Sequence, residues 1–457
     1  MNPAFRLCVA VPVLALSVWL SACASDSASP LRFGLFSEAS LEGWGLPTEF
    51  MSASDAGMDR NHLRASDAQA GDVYGGAVAL SRDGNTLAVG ADLKGLGAGA
   101  VYVYARTPHG WAQQARLEAL VPNEGSGFGF SLSLSDDGRR LAVGAPFESS
   151  AGAEQGAVYV FEHLESDWAV RAHLKASNAR EFDWFGASVA LSGQGAFLAV
   201  GARHEDGPSA RPVADSGAVY VFGRDAGQWS EQNHLKASNP KVGDRFGVSL
   251  ALSLDGTTLA VGAQSSERSA VRVFKRRPSG WREQAVLHSR EAVARDRFGA
   301  QLALSAQGDT LAVSAMGAPG TAGAAHVYTQ HAGRWLQQAQ LRAPQAQPGD
   351  AFGERLALSA DGSVLAVSAV HGMHAREVGA VHVFARGATS WSAQRRLTPT
   401  GAGTGDLFGS SLGLSGDGRV LAVGARLEDG PRPWHLGKLS FGERAQNMGA
   451  VHLHTAL

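Results

Sequence analysis

Few side chains in this sequence have the types and spacing that metal binding requires. The nearest pattern is His371-x-x-His374, followed three residues later by Glu377. Two imidazoles and a carboxylate can ligate zinc, but these residues fall in a loop in which nothing fixes their geometry. A second pair, His452-x-His454, lies at the end of the chain. We therefore predict no metal and no cofactor, with His371, His374 and Glu377 as the alternative.

The sequence shows no recognisable catalytic arrangement. A Ser/His/Asp order, a phosphate-binding glycine loop and a carboxylate pair in apolar surroundings are not apparent. The formal net charge of −2 provides no basic field for nucleic acid. These observations predict a protein that is not an enzyme and does not bind nucleic acid.

Sulfur chemistry is confined to the start of the chain. Cys8 and Cys23 are the only cysteines among the 457 residues. No disulfide or thiolate metal site is possible beyond Cys23, so the body must be stabilised by packing and backbone pairing.

The first 22 residues are typical of an export signal. Arg6 supplies positive charge, and the apolar run over 7–20 is shorter than the roughly 20 residues that a membrane-spanning helix needs. The run ends in Leu-Ser-Ala-Cys at 20–23, which resembles the lipobox of bacterial lipoproteins. The resemblance implies cleavage before Cys23, a lipid on its thiol and, because Ala24 follows, an outer-membrane location. An ordinary signal peptide cut near Ala22 or Ala24 is the alternative.

Composition divides the chain into three parts. Residues 1–22 are the predicted lipoprotein signal peptide. Residues 23–57 are rich in Ser, Ala and Gly without a sustained period, which predicts a tether. Residues 58–457 form the predicted folded body.

The body is built from one repeated unit. An aromatic residue followed by glycine marks each copy, at intervals of 52 to 61 residues, and such a period predicts an array or a propeller. The seven markers are Tyr74-Gly75, Phe128-Gly129, Phe185-Gly186, Phe246-Gly247, Phe298-Gly299, Phe352-Gly353 and Phe408-Gly409.

Each unit reads as a four-stranded antiparallel meander. The second strand is LAVGA or LAVSA, the third resembles AVYVF, and the fourth opens with tryptophan and has a leucine six residues later. Short β-branched and aromatic runs separated by Asp-Gly turns indicate strands rather than helices. One tryptophan in each of the first six units, at a constant strand position, indicates packing between neighbouring units.

The missing strand of the last unit lies at the other end of the body. The seventh unit ends with its third strand, whereas Asn61–Ser66 closely matches Asn233–Ser238, which forms part of a complete fourth strand. A linear array gains nothing from this arrangement, but a ring closes by it and protects its edges. We therefore predict an all-β, seven-bladed propeller in which the N-terminal strand completes the last blade.

The Phe-Gly and Gly-Ala-Pro motifs resemble the FG-GAP repeat of integrin alpha chains. The Trp-led fourth strand and the LALS and LAVGA motifs resemble the bacterial FG-GAP subfamily more closely. The resemblance implies a propeller that acts in adhesion, in assembly or as an accessory part of an enzyme. Integrin-type repeats also carry calcium loops of alternating Asp and Asn between their first two strands.

The corresponding loops of this chain have lost most of those ligands. Calcium takes roughly six to eight oxygen ligands, and each loop offers two carboxylates at most. The Asp-Gly aspartates are therefore predicted to form turns: Asp83, Asp137, Asp255, Asp361 and Asp417. The aspartate two residues before the aromatic-Gly marker is predicted to cap a turn. Those aspartates are Asp72, Asp183, Asp244, Asp296, Asp350 and Asp406, with Ser126 in the second unit.

Loop length points to the binding surface. The loops joining strands two and three, and those joining consecutive blades, share one side of a propeller, which we call the loop face. The second-to-third connection is longest in the seventh unit, and variable loops on a rigid scaffold commonly bind ligands. The candidate binding residues are Arg432, Trp434, His435 and Lys438 in that loop, and Glu205 and Asp206 in the third unit. Alternatively, the long loop plugs the channel or covers the closure seam.

Together these features predict a non-enzymatic, lipid-anchored envelope protein that binds a protein or glycan of the envelope or extracellular space. It would contact the membrane through its lipid anchor only. A structural component of the envelope and an enzyme that uses the central channel are the alternatives.

Overall fold

The computed structural model describes most of the body of the chain. The described residues are 61–149, 153–208, 210–265, 269–289, 296–317, 321–370, 378–388, 390–399, 403, 405–430, 434–436, 439–441 and 446–455. All of them lie in the second of the two units into which the chain divides, Met58–Leu457. Predictions that lie outside the described residues are the signal peptide, Cys23, the tether, His371, His374, Glu377, Arg432 and Lys438.

Seven four-stranded antiparallel sheets confirm the predicted propeller. Blade 1 contains β2 (Ala77–Leu80), β3 (Thr86–Ala91), β4 (Ala100–Thr107) and β5 (Gly110–Leu117). Blade 2 contains β6 (Ser131–Leu134), β7 (Arg140–Ala145), β8 (Ala157–Leu164) and β9 (Asp167–Leu174). Blade 3 contains β10 (Phe185–Leu191), β11 (Phe197–Ala202), β12 (Ala218–Asp225) and β13 (Gln228–Leu235). A short helical turn, Lys94–Gly97, lies between β3 and β4.

The next three blades repeat this order. Blade 4 contains β14 (Leu250–Leu252), β15 (Thr258–Ala263), β16 (Ala270–Arg277) and β17 (Gly280–Leu287). Blade 5 contains β18 (Leu302–Leu304), β19 (Thr310–Ala315), β20 (Ala324–His331) and β21 (Arg334–Leu341). Blade 6 contains β22 (Phe352–Leu358), β23 (Val364–Ala369), β24 (Ala380–Arg386) and β25 (Trp391–Leu397).

Blade 7 is completed from the other end of the chain, as predicted. It contains β26 (Phe408–Leu414), β27 (Val420–Ala425), β30 (Ala450–Thr455) and the N-terminal β1 (His62–Leu63). His62 pairs with His452 and Leu63 with Val451. The connection between β27 and β30 contains a two-stranded hairpin of its own, β28 (Trp434–Leu436) and β29 (Leu439–Phe441), which the sequence did not predict.

The core lies between blades. The second strand of each blade is buried along nearly its whole length, because neighbouring blades cover both faces of the sheet, and this explains its continuous apolar run. One cluster combines Val160 of blade 2 with Phe185 and Phe222 of blade 3, and Trp229 packs against it. The tryptophans therefore pack between blades, as predicted.

The LAVGA strand requires glycine at its fourth position because the backbone of the next blade lies directly against it. A Cβ atom on Gly144 would collide with the carbonyl oxygen of Gly186 in blade 3. The Ser131 hydroxyl, on the strand paired with Gly144, donates a hydrogen bond of 2.8 Å to that same carbonyl. In blade 5 serine takes the place of this glycine, and the Ser314 hydroxyl instead accepts the Gln301 backbone N–H at 2.8 Å.

A closed belt of backbone hydrogen bonds surrounds the axis. One residue per blade donates its N–H to the equivalent carbonyl of the next blade at 2.7–3.2 Å, and the seventh donates back to the first. The seven residues are Arg82, Asp136, Gly193, Leu254, Ala306, Ala360 and Gly416. One leucine from the first strand of each blade lines the channel beside this belt. The belt joins all seven blades into one ring without using any side chain.

Candidate functional site

The aspartates before the aromatic-Gly markers cap turns, as predicted. Asp183 accepts the Arg180 backbone N–H at 2.8 Å. Four of the others accept the N–H three residues earlier at 2.6–2.8 Å, namely Asp72, Asp244, Asp350 and Asp406. The Asp296 carboxylate instead accepts the Phe298 N–H at 3.0 Å.

The Asp-Gly aspartates are committed to their own turns. Asp137 accepts the Ser135 hydroxyl at 2.6 Å and the Arg139 backbone N–H at 3.0 Å. Partial burial opposes ionisation, but these bonds outweigh it and hold the pKa of Asp137 below its ordinary value. The same serine-to-aspartate bond occurs at Asp83, Asp255, Asp361 and Asp417. Their predicted role as turn formers is therefore confirmed.

Two of the predicted binding residues support the loop from within the blade. Glu205 is 1% exposed, forms an ion pair with Lys236 and accepts the Asn178 amide at 3.1 Å. Asp206 accepts the Asp215 backbone N–H at 2.8 Å. Trp434 and His435 lie on β28, whose backbone alone is described. The structure does not bring Glu205 or Asp206 together with any described residue of the long loop.

An aromatic group lies on the loop face where blades 2 and 3 meet. We call Phe130, Phe147, Trp184, Arg203 and His204 the Trp184 cluster. The ring centroids of Phe130 and Phe147 are 5.5 Å apart, those of Phe147 and Trp184 are 5.0 Å apart, and those of Trp184 and His204 are 4.5 Å apart. The Arg203 guanidinium carbon lies 4.6 Å from the Trp184 ring centroid, within range of a cation–π interaction. All five side chains are partly exposed.

The turn geometry of the repeat positions Trp184. It lies between the capping Asp183 and the marker Phe185 and has φ of 56°, in the left-handed region. The equivalent residue is left-handed in every blade, although its type varies: Val73, Gly127, Trp184, Arg245, Arg297, Ala351 and Leu407. A non-glycine residue pays roughly 1–2 kcal/mol in this conformation. Neighbouring groups hold the indole in place, because Trp184 Nε1 donates to Glu154 Oε2 at 2.7 Å.

Both arginines and carboxylates lie near the Trp184 cluster. Burial lowers the pKa of Arg203, and the nearby charge of Arg245 lowers it further. Burial also lowers the pKa of Arg355 on β22, where the charge of Glu354 opposes the effect and that of Arg426 adds to it. Below the cluster, burial raises the pKa of Asp183 to about 6, with Glu205 and Asp206 adding to the effect. Cationic and anionic groups therefore lie side by side at this part of the loop face, where Glu154 contacts Trp184 and Asp215 contacts His204.

Sequence reasoning missed the Trp184 cluster because it treated the aromatic-Gly marker as architecture alone. The available signal was the residue before the marker, which varies between units and is tryptophan only in Trp184-Phe185-Gly186. Length variation in the loops directed attention elsewhere.

Seven sheets closed into a ring, with varied side chains on one face of a repeated turn, define a seven-bladed propeller scaffold, a class that fits a binding or adhesion-type role. The FG-GAP repeat model matches seven segments, which together cover more than half of the chain. They are 58–104, 111–161, 168–222, 229–274, 281–328, 335–384 and 391–439. The chain therefore belongs to the FG-GAP repeat family. No curated protein matches it, and no helix in the described part of the chain is long and apolar enough to cross a membrane.

Proposed function

We propose that this protein is a non-enzymatic scaffold of the bacterial cell envelope that binds a protein or glycan through its loop face. In this proposal a lipid on Cys23 holds it to the outer membrane. The Leu-Ser-Ala-Cys motif at 20–23 supports the anchor, and the FG-GAP propeller supports the scaffold. The observation that carries the binding role is the Trp184 cluster.

The composition of the cluster suits recognition. Tryptophan and arginine are enriched among the residues that dominate binding energy. Trp184, Phe147 and Phe130 offer apolar ring surface that the fold leaves partly exposed. Arg203 beside them, with Arg245 nearby, provides a cationic group that can pair with a carboxylate of the ligand. An acidic side chain of a protein or an acidic sugar of a glycan would satisfy both features.

The test begins with the full-length protein and its native envelope. Crosslinking and affinity capture from that envelope, together with a glycan array, identify the ligand. Trp184→Ala and Arg203→Gln should then each weaken its binding by about tenfold or more, because both remove central contact groups. Leu164→Ala is the matched control, since it removes an exposed apolar side chain from the hairpin at the end of β8, on the opposite face.

Deletion of residues 432–438 tests the long loop separately. If only the deletion weakens binding, the long loop is the binding surface and the Trp184 cluster is not. If Trp184→Ala, Arg203→Gln and the deletion all bind the ligand with wild-type affinity, and thermal unfolding shows that each is folded, binding through the loop face is refuted.

A further inference from the structure

Three side chains meet where the two ends of the propeller chain join. His62 Nε2 lies 2.9 Å from Glu428 Oε1, and His452 Nε2 lies 2.7 Å from Glu428 Oε2. Among the described residues this is the one group of three His, Cys, Asp or Glu side chains whose ligand atoms are spaced for a metal ion, all within 4.8 Å of one another. The carboxylate is buried, and both imidazoles are partly exposed.

Blade 2 shows what the same position looks like without a second imidazole. There Glu148 accepts the Tyr159 hydroxyl at 2.7 Å, contacts His173 Nε2 at 3.0 Å and forms an ion pair with Lys175 at 3.1 Å. Glu428, His62 and Arg64 correspond to Glu148, His173 and Lys175. His452 therefore stands where blade 2 has a tyrosine.

The comparison with blade 2 distinguishes an ion pair from a metal site as the role of His62, Glu428 and His452. A tyrosine hydroxyl already satisfies the buried carboxylate in blade 2, so an ion pair alone does not require a second imidazole. With His452 in place of the tyrosine, the site gains an imidazole nitrogen, which can ligate a metal when the imidazole is neutral. The result is a two-histidine, one-carboxylate set of donors, which is known from zinc sites.

We propose that His62, Glu428 and His452 bind a divalent transition-metal ion, with zinc as the best match. Zinc bonds of about 2.0–2.1 Å to nitrogen and oxygen place neighbouring ligand atoms roughly 3.4 Å apart, so small side-chain movements suffice. Arg64 Nη2 lies 2.5 Å from Glu428 Oε1 and would orient the ligating carboxylate as an outer partner. Its positive charge lowers the affinity, while the exposed edge of His62 allows entry of the ion.

The ion would clamp the ring at its seam. His62 is on β1, His452 is on β30, and Glu428 follows β27, so all three strands of the closure would share one ion. The strand β1 contributes only two paired residues to the last blade. Because the unfolded chain separates His62 from His452, the ion would bind the folded ring preferentially and raise its unfolding temperature.

The test uses full-length protein freed of metal with a chelator that is then removed. Zinc affinity is measured by competition with a chromophoric chelator, and thermal unfolding is followed with zinc, with magnesium and with neither. The proposal expects one zinc ion per chain and a rise in unfolding temperature with zinc that magnesium does not reproduce. His452→Tyr, which restores the blade 2 arrangement, should weaken zinc binding by at least about 100-fold and abolish that rise.

Two further variants make the outcome decisive. His62→Gln keeps a hydrogen-bond donor and should also abolish the rise, which guards against a folding defect peculiar to His452→Tyr. The double variant His371→Ala/His374→Ala removes the other histidine pair and should leave zinc binding unchanged. Wild-type zinc affinity in His452→Tyr and His62→Gln, or loss of zinc binding only in the double variant, would overturn the proposal.

Discussion

At the residue scale, a buried charged side chain follows the second strand in four of the blades. The third residue after the strand's final alanine is Glu148 in blade 2, Glu205 in blade 3 and Glu428 in blade 7. Each carboxylate contacts the basic side chain that directly follows the fourth strand, namely Lys175, Lys236 and Arg64. In blade 1 the same position is Lys94, and its ammonium group forms an ion pair of 2.8 Å with Asp72. The residue at this position therefore forms a buried ion pair in all four blades, but its charge is positive in blade 1 and negative in the other three.

The first residue-scale prediction concerns Glu148. Burial opposes its ionisation, but His173, Tyr159 and Lys175 outweigh burial and lower its pKa from 4.5 to about 2. A lowered pKa stabilises the folded protein above the unfolded value, and this stability is lost as the pH falls from about 4.5 towards 2. Between pH 5 and pH 3 the wild type should lose about 2 kcal/mol more unfolding free energy than Glu148→Gln.

Urea unfolding at a series of pH values measures this difference. Glu165→Gln is the control, because Glu165 is exposed in a hairpin turn of the same blade, and its stability should follow the wild-type pH profile. Parallel profiles for the wild type and Glu148→Gln would show that the buried carboxylate does not set the acid sensitivity of blade 2.

At the element scale, the two-residue strand β1 completes blade 7. It covers the open edge of β30, and the Asn61 carbonyl also accepts the Leu453 N–H at 2.6 Å. Leu63 packs against the cluster that contains Tyr74 and Val451. A three-stranded blade 7 would expose both a strand edge and part of this core.

We predict that removing β1 destabilises the propeller. A chain beginning at residue 68 should unfold at a temperature at least about 5 °C lower than a chain beginning at residue 58. A synthetic peptide of residues 58–68 should restore part of the difference, because it can pair with β30. Calorimetry with and without the peptide measures both effects, and equal unfolding temperatures for the two chains would contradict a role for β1 in closure.

At the scale of the whole molecule, the ring behaves as one unit. The backbone belt and the blade-to-blade contacts make each blade depend on both neighbours, so the propeller is a rigid support for its loop face. Attachment of this body to the membrane would depend on Cys23, which lies outside it. The anchor remains a proposal based on the lipobox resemblance.

Cell fractionation tests the anchor. Cys23→Ala should move the protein from the membrane fraction to the soluble fraction and abolish incorporation of a labelled fatty acid, because the proposed acylation site is removed. Cys8→Ala is the control and should stay in the membrane fraction. Membrane retention of Cys23→Ala would show that another interaction holds the protein there.

The architecture was predictable from the sequence because its causes are local and repeated. Alternating and apolar runs, Asp-Gly turns and the aromatic-Gly marker specify each blade within about 55 residues, and seven copies reinforce one interpretation. The segment Asn61–Ser66 matches the fourth-strand segment Asn233–Ser238, so even ring closure could be predicted. The capping role of Asp183 and its equivalents followed from the same local chemistry.

The sites depended on tertiary structure because their members come from different parts of the chain. Glu428 and His62 are 366 positions apart, and only the closed ring brings them together. The Trp184 cluster likewise forms only when blade 2 packs against blade 3. By itself, then, the sequence determined the blades and their number, since hydrogen bonding and turn chemistry act over short separations. Only the tertiary structure decided which charges are buried and which side chains meet, because packing between blades joins residues that no local pattern connects.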